Sequence, residues 1–279
     1  MQKFKNILDQ STKILSILAI IAFVFAAWFA IQFAKSKTKK EFDARQTYFN
    51  DVHTHFNKDW ATNTYWDSTQ TEKFNMVSTN GDLWSFELSK QKFNDQFNVK
   101  TNTTERPDLY DVMHMQIAHK HMDSTVRADM STLRMNTLVL HKMTVASIVP
   151  EGITYKSYTN QKSIISMKYD SYKDQEGRAE KVFEKDLMFL DQLPYVLRSY
   201  NVDDTTSFNV RILETQLGPG VGKFNVYKAH ISLANASASE YTINVDLSNN
   251  TQYSYTFERN FPNRLLVMNY KAEKYLRKE

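Results

Sequence analysis

Histidine and methionine side chains cluster at two places in the chain, and both clusters could bind a metal ion. One cluster is His53-Thr54-His55, and the other contains Met113, His114, Met115, His119, His121 and Met122. Imidazole and thioether groups suit copper outside the cytoplasm. Methionine is also an ordinary core residue, and two histidines separated by one residue point to opposite sides of a helix, though to one face of a strand. The packing interpretation is favoured, so no metal and no cofactor is predicted.

Neighbouring carboxylates occur at Asp203-Asp204 and at Asp108 and Asp111. Glycoside hydrolysis needs two carboxyl groups facing each other about 5–10 Å apart, whereas acids that are neighbours in sequence are typical of solvated loops. The sequence contains no nucleophile elbow, phosphate-binding loop or dinucleotide glycine fingerprint. No catalytic residue is therefore predicted, and the chain is not expected to be an enzyme.

Aromatic side chains are the more suggestive group. The chain has 15 tyrosines and 18 phenylalanines, and many alternate with polar residues in the second half. Two interpretations fit this pattern: one sheet face packs against a helix, or an apolar concavity holds a lipid or another hydrophobic ligand. The residues predicted to line a ligand or partner surface are Phe189, Leu193, Tyr195, Phe208, Tyr253, Tyr255 and Phe257. Core packing remains the alternative for several of them.

Charge and cysteine content limit the partners and the compartment. The net charge is +4, and much of the basic excess lies in residues 35–45, so the remainder is close to neutral and no nucleic-acid partner is predicted. The absence of cysteine excludes disulfides and thiolate metal sites. It also favours an oxidising, extracytoplasmic compartment.

Residues 14–34 are apolar except for Ser16 and Gln32. About 20 apolar residues span roughly 30 Å of hydrocarbon as a helix, while a cleaved signal peptide has a shorter apolar run of about 7–15 residues. The sequence therefore predicts a short cytoplasmic tail over 1–13 and a transmembrane helix over 14–34.

The predicted orientation of this helix disagrees with the positive-inside rule. The basic residues after the helix are at least as many as Lys3, Lys5 and Lys13 before it, so the positive-inside rule alone favours a cytoplasmic bulk domain. The absent cysteines and the Asn-, Thr- and Tyr-rich β character favour the opposite. We predict a single-pass inner-membrane protein with its bulk domain in the periplasm.

The remaining chain is predicted to be mainly β. Spacings of three and four between large apolar residues predict a helical stalk over 35–60, and residues 61–279 form the predicted β-rich domain. Ile165, Met167 and Tyr169 alternate with polar residues as in a half-buried strand. Asn80-Gly81, residues 174–177 and residues 248–250 are turn signals. Leu187 to Tyr200 is predicted to be a short amphipathic helix, tightened or kinked at Pro194.

Three segments of the second half resemble a known family. They are the run Asp191-Gln192-Leu193-Pro194-Tyr195-Val196-Leu197-Arg198, residues 208–212, and residues 255–266 with Phe261-Pro262 at a turn. Over about residues 136–276 the chain resembles an uncharacterised family of bacterial periplasmic envelope proteins. The resemblance implies a curved, half-barrel-like antiparallel sheet, related in shape to carriers of lipoproteins or lipids. The retained anchor and the extra segment 36–135 depart from that family and favour a tethered component.

The predicted function is a membrane-anchored extracytoplasmic binding or scaffold protein of a bacterial envelope complex. The predicted partners are the membrane, other envelope proteins and a lipid. One alternative is a structural subunit of a secretion or transfer machine. Another is a membrane-tethered hydrolase that acts on envelope polymer.

Overall fold

The structure is a computed structural model, and it describes residues 23–36, 55–57, 59–60, 63–68, 71–94, 109–120, 126–134, 140–149, 152–161, 164–172, 177–184, 187–203, 206–214 and 225–278. The chain divides into two compact units, Met1–Phe49 and Asn50–Glu279.

The first unit contains a helix over residues 23–36. Its large apolar side chains are open to their surroundings: Phe23 is 76% exposed, Trp28 55% and Phe33 69%. Across the part of the chain that the structure describes, no helix has the length and apolar character needed to cross a membrane. Residues 14–22 of the predicted transmembrane helix lie outside that part, so the span over 14–34 stays a prediction.

The second unit is built from strands. The described strands are β1 Glu72–Ser78, β2 Leu83–Asn94, β3 Leu109–Lys120, β4 Val126–Arg134, β5 Leu140–Val149, β6 Gly152–Gln161, β7 Ile164–Ser171, β8 Gly177–Glu184, β9 Leu187–Phe189, β10 Ser207–Glu214, β11 Asn225–Ala236, β12 Glu240–Leu247, β13 Gln252–Glu258, β14 Leu265–Tyr270 and β15 Glu273–Lys278. They form one sheet in the order β8-β7-β6-β5-β4-β3-β2-β1-β15-β14-β13-β12-β11-β10-β9.

The sheet consists of two antiparallel meanders joined along one seam. Strands β1 to β8 pair with their sequence neighbours, as do β10 to β15, and β1 pairs with β15 in the register Val77↔Leu276. Strand β9 is different because it pairs with β10 in parallel. Among the described strands the sheet is open, with β8 and β9 at its two edges.

Alternating burial explains why these segments form strands. In β7, Ile165, Met167 and Tyr169 are buried and their neighbours are more exposed, as expected for a strand with one covered face. In β13, Tyr253, Tyr255 and Phe257 do the same. The turn at Asn80-Gly81 joins β1 to β2, and Gly81 has a φ of 85° that suits glycine. The prediction of a mainly β protein with a curved antiparallel sheet is confirmed.

The segment 187–200 differs from the single amphipathic helix predicted for it. It comprises β9, a 3₁₀ turn at Leu190–Gln192, a helix at Leu193–Val196 and a second 3₁₀ turn at Leu197–Ser199. Pro194 lies in the first turn of the helix, where proline is tolerated because its nitrogen needs no helical partner. We call residues 187–200 the inner segment.

The inner segment lies inside the curve of the sheet. Residues 189–200 are all buried, so the segment lacks the solvent-facing side of an amphipathic helix. Its side chains touch distant strands: the ring centre of Phe189 lies 5.1 Å from that of Tyr158 in β6, and that of Tyr195 lies 5.7 Å from that of Phe86 in β2. The alternating apolar residues of strands in both meanders are buried as well, such as Met167 in β7 and Tyr255 in β13. The sheet therefore curves around a piece of its own chain.

The predicted helical stalk over 35–60 lies mostly outside the described residues. Near its end, Phe56 forms a bridge with Tyr200, and the Asn201 backbone N–H donates to the His55 carbonyl at 2.7 Å. Trp60 is only 2% exposed. Among the described residues of the predicted stalk, 35, 36, 59 and 60 are helical, while Phe56 bridges to Tyr200, so the stalk stays a prediction.

Candidate functional site

The seven aromatic and aliphatic residues predicted to line a binding surface are all buried. Their exposed fractions range from 0% for Phe189, Leu193, Tyr255 and Phe257 to 5% for Phe208. Three belong to the inner segment and four to strands β10 and β13. Their role in binding stays a prediction, and their present contacts are with one another and with this chain.

The contacts of these side chains show what fills the curve of the sheet. The Phe208 ring stacks on His55 with 4.7 Å between ring centres, and Tyr200 lies 5.7 Å from the same ring. The Phe257 ring lies 5.4 Å from that of Tyr241. An apolar ligand would have to displace these contacts before it could occupy the same space.

A buried charge cluster ties the inner segment to the sheet. Arg198 is 1% exposed, and its Nη1 lies 3.0 Å from Oε2 of Glu72 in β1. The other carboxylate oxygen of Glu72 lies 3.5 Å from Nη1 of Arg277 in β15. Burial lowers the pKa of Arg277 from its ordinary value, with Glu72 opposing that shift. One carboxylate is therefore shared by two guanidinium groups at the seam between the meanders.

Arg198 also binds the turn between β13 and β14. Its Nε and Nη2 donate to the Pro262 carbonyl at 3.1 and 2.8 Å, and Trp60 Nε1 donates to the same oxygen at 3.2 Å. The guanidinium carbon lies 5.5 Å from the centre of the Trp60 ring, within cation–π range. Sequence reasoning missed this cluster. All these groups are directed at the chain itself, so the cluster is structural.

The histidines and carboxylates considered for chemistry are mostly separated. His119 stacks on Trp84 with 4.0 Å between ring centres, and burial lowers the pKa of His114. Asp203 accepts a hydrogen bond from the Thr206 hydroxyl. His53, Asp108, His121 and Asp204 lie outside the described residues. Within the described ranges, no three His, Cys, Asp or Glu side chains come together as a metal site.

A polar cavity of about 750 Å³ lies at the end of the sheet where β10 stops and two turns meet. The turns join β12 to β13 and β14 to β15. Asn250, Lys271 and Ala272 have positive φ values of 65°, 52° and 70°, a backbone conformation found in tight turns. We call this space the turn-end cavity. Five of its lining residues carry side-chain amides: Asn225, Asn249, Asn250, Gln252 and Asn269.

One carboxylate and one ammonium group face each other in the lining of the turn-end cavity. Glu214, at the end of β10, has a side chain only 6% exposed, and Lys271 Nζ lies 3.5 Å from its Oε1. Burial raises the pKa of Tyr227, as does the nearby Glu214 charge, while a hydrogen bond to Asn249 opposes the shift. Burial likewise raises the pKa of Tyr253. Both phenols are therefore neutral hydrogen-bonding groups at ordinary pH.

Sequence reasoning identified Tyr253 and the turn at residues 248–250 but did not combine them into a site. The lining comes from β10, β11, β13, β14 and two turns, and only the sheet order brings these segments to one end. The asparagines of the predicted turn were the available signal. Asparagine is common in turns for backbone reasons alone, so these residues did not indicate a binding site.

Comparisons with known proteins give a distant structural likeness. No protein-family model matches the chain, and no curated protein sequence matches it. Among solved structures, the chain is similar to a β-barrel-like protein from Brucella abortus that belongs to a domain of unknown function, at 6% identity and a TM-score of 0.42. The match covers 75% of this chain and 94% of that chain.

Proposed function

We propose that this protein is a membrane-anchored scaffold or binding module, with its β unit on the periplasmic side of a bacterial inner membrane. The main support for the anchor is the exposure of the apolar side chains of the helix over 23–36. Phe23, Val24 and Phe25 are 76%, 60% and 67% exposed. Consecutive helical residues are about 100° apart, so these three apolar side chains cover more than half of the circumference. A helix without a polar stripe is favoured by a lipid environment.

The scaffold role is supported by the filled interior of the β unit. The inner segment occupies the curve of the sheet, and the seven predicted lining residues are at most 5% exposed. Opening that interior would expose several of these side chains. Each large apolar side chain that is fully buried contributes about 1.5–3 kcal/mol of stability. A rigid, filled sheet unit favours docking to other envelope proteins over transport of a lipid in the interior.

The anchor is tested by alkaline extraction of membranes that contain the full-length chain. We expect the wild type to remain in the membrane pellet. The double substitution Phe25→Arg and Phe29→Arg should release it, because each arginine at a helix centre costs about 2.5–3.5 kcal/mol of insertion. Phe261→Arg is the matched control, since Phe261 is 39% exposed in the β unit. Release of the wild type, or equal retention of both variants, would contradict the anchor.

The scaffold role is tested by native mass spectrometry after gentle detergent extraction. A discrete complex with at least one other chain supports the proposal. A monomer that carries a lipid in stoichiometric amount contradicts it and favours the carrier alternative. Protease digestion of intact cells after removal of the outer membrane tests the side of the membrane, since a β unit that is protected from protease would place it in the cytoplasm.

A further inference from the structure

We propose that the turn-end cavity is a binding site for a neutral oligosaccharide. The cavity shares Tyr253 with the seven buried interior residues, and it does not depend on the membrane anchor. Its volume of about 750 Å³ falls within the range of about 300–1,000 Å³ that is typical of ligand sites.

The lining favours a ligand that both donates and accepts hydrogen bonds. Each of the five side-chain amides has a carbonyl oxygen and an NH₂ group. Three of them already use one of these groups within the chain: Gln252 donates to Asp246, Asn269 donates to the Ser254 hydroxyl, and Asn249 accepts from the Thr251 backbone N–H. The other amide groups are available to a ligand. Sugar hydroxyls are matched to such groups because each hydroxyl donates one hydrogen bond and accepts others. Ser254 and Thr251 add hydroxyls to the same wall. A lipid tail would instead cover the remaining donors and acceptors without bonding to them, at a cost for each one.

The charges in the cavity favour a neutral ligand. Glu214 and Lys271 lie 3.5 Å apart, so their fields largely cancel at the position of a ligand. A phosphate or carboxylate ligand would face the Glu214 carboxylate, and a cationic ligand would face the Lys271 ammonium. The pair is also placed to accept from and donate to hydroxyl groups, because charged partners make stronger hydrogen bonds than neutral ones.

One tyrosine ring in the lining suits a sugar. Tyr227 is partly exposed there, whereas Tyr253 is 1% exposed and packs on the Tyr270 ring. A tyrosine ring combines an apolar face with a polar hydroxyl. A sugar ring has the same combination, with apolar C–H groups on its faces and hydroxyls at its edge. A short neutral oligosaccharide therefore matches the cavity in size, polarity and charge.

The test is calorimetric titration of the full-length protein, held in a detergent that has no sugar head group. The probes are an N-acetylglucosamine tetrasaccharide, a glucose tetrasaccharide and, as a polar non-sugar, tetra-alanine. We expect at least one tetrasaccharide to bind and tetra-alanine to give no heat. Absence of binding by both sugars at about 10 mM, a concentration that would detect even millimolar affinity, overturns the proposal. Equal binding of tetra-alanine also overturns it and favours a peptide site.

The variant Asn249→Ala locates the binding to this cavity. Losing one amide should weaken binding by about 3- to 10-fold, the fold-change that corresponds to one hydrogen bond. Asn260→Ala is the matched control, because Asn260 is also an exposed turn asparagine but lies between β13 and β14. Asn225→Ala, exposed at the start of β11, is a second cavity variant should the first alter folding. Equal affinities of the control and both cavity variants would refute the site.

Discussion

Replacing Glu72 by glutamine should destabilise the β unit far more than the same change on its surface. Glu72 is 7% exposed and lies 3.0 Å from the buried Arg198. Removing one partner of a buried ion pair costs about 3–5 kcal/mol, because the other charge stays buried without compensation. Glutamine keeps one acceptor oxygen, so we expect about 3 kcal/mol. With a urea m-value of about 3 kcal/mol/M for a unit of this size, the unfolding midpoint falls by about 1 M.

The assay is urea unfolding of the full-length protein in one fixed detergent, followed by tryptophan fluorescence. Trp60 and Trp66 report on the cluster because the Arg198 guanidinium carbon lies 5.5 and 6.0 Å from their ring centres. The matched control is Glu180→Gln. Glu180 pairs with Lys168 at 3.4 Å, but the two side chains are 75% and 71% exposed, so the loss should stay below about 1 kcal/mol. Equal shifts of the two midpoints would refute the reasoning.

Two further predictions use the same urea titration. Tyr255→Phe removes a buried hydroxyl that has no hydrogen-bond partner among the described residues, so stability at neutral pH should change by less than about 1 kcal/mol. Burial raises the pKa of Tyr255 well above 10, so the unfolded chain ionises first and the wild type loses stability as the pH rises above about 10; an equal loss in the variant would contradict this. Phe189→Ala should cost about 3–5 kcal/mol, because Phe189 is 0% exposed and packs on Tyr158. Val182→Ala, at a 58% exposed position, should cost far less, and similar costs would show that the interior is not tightly packed.

The sequence predicts strands well where one face is clearly apolar and fails where that face contains charges. Strand β7 is evident because Ile165, Met167 and Tyr169 alternate. Strand β1 was not predicted, since Glu72 and Ser78 take two of its four buried positions. Strand β15 was missed for the same reason, as Tyr275 is its one buried residue. Partners supplied by distant strands make these polar segments stable in the sheet, and such partners leave no local pattern.

The inner segment shows the same limit at the level of a site. Its apolar spacing predicts a helix with one solvent-facing side, and Arg198 would naturally belong to that side. The structure instead surrounds Arg198 with Glu72, Trp60 and the Pro262 carbonyl. Helical spacing of apolar residues predicts an amphipathic helix, but it does not predict that a sheet will enclose the segment. The turn-end cavity was likewise beyond sequence reasoning, because the order of strands alone assembles its lining.

The seam between β1 and β15 makes completion of this fold depend on a late event during protein synthesis. The two strands are joined from Asn75↔Lys278 to Ser78↔Tyr275. Every other pairing among the described strands joins two strands that are consecutive in the sequence. A ribosome releases β1 early, and β2 can cover one side of it at once through a short hairpin. The opposite edge of β1 must wait for β15, which is a long-range contact with a high closure cost. An unpaired strand edge attracts wrong partners during that interval. A nascent chain halted before β15 would therefore present that edge to chaperones and proteases until β15 pairs with it.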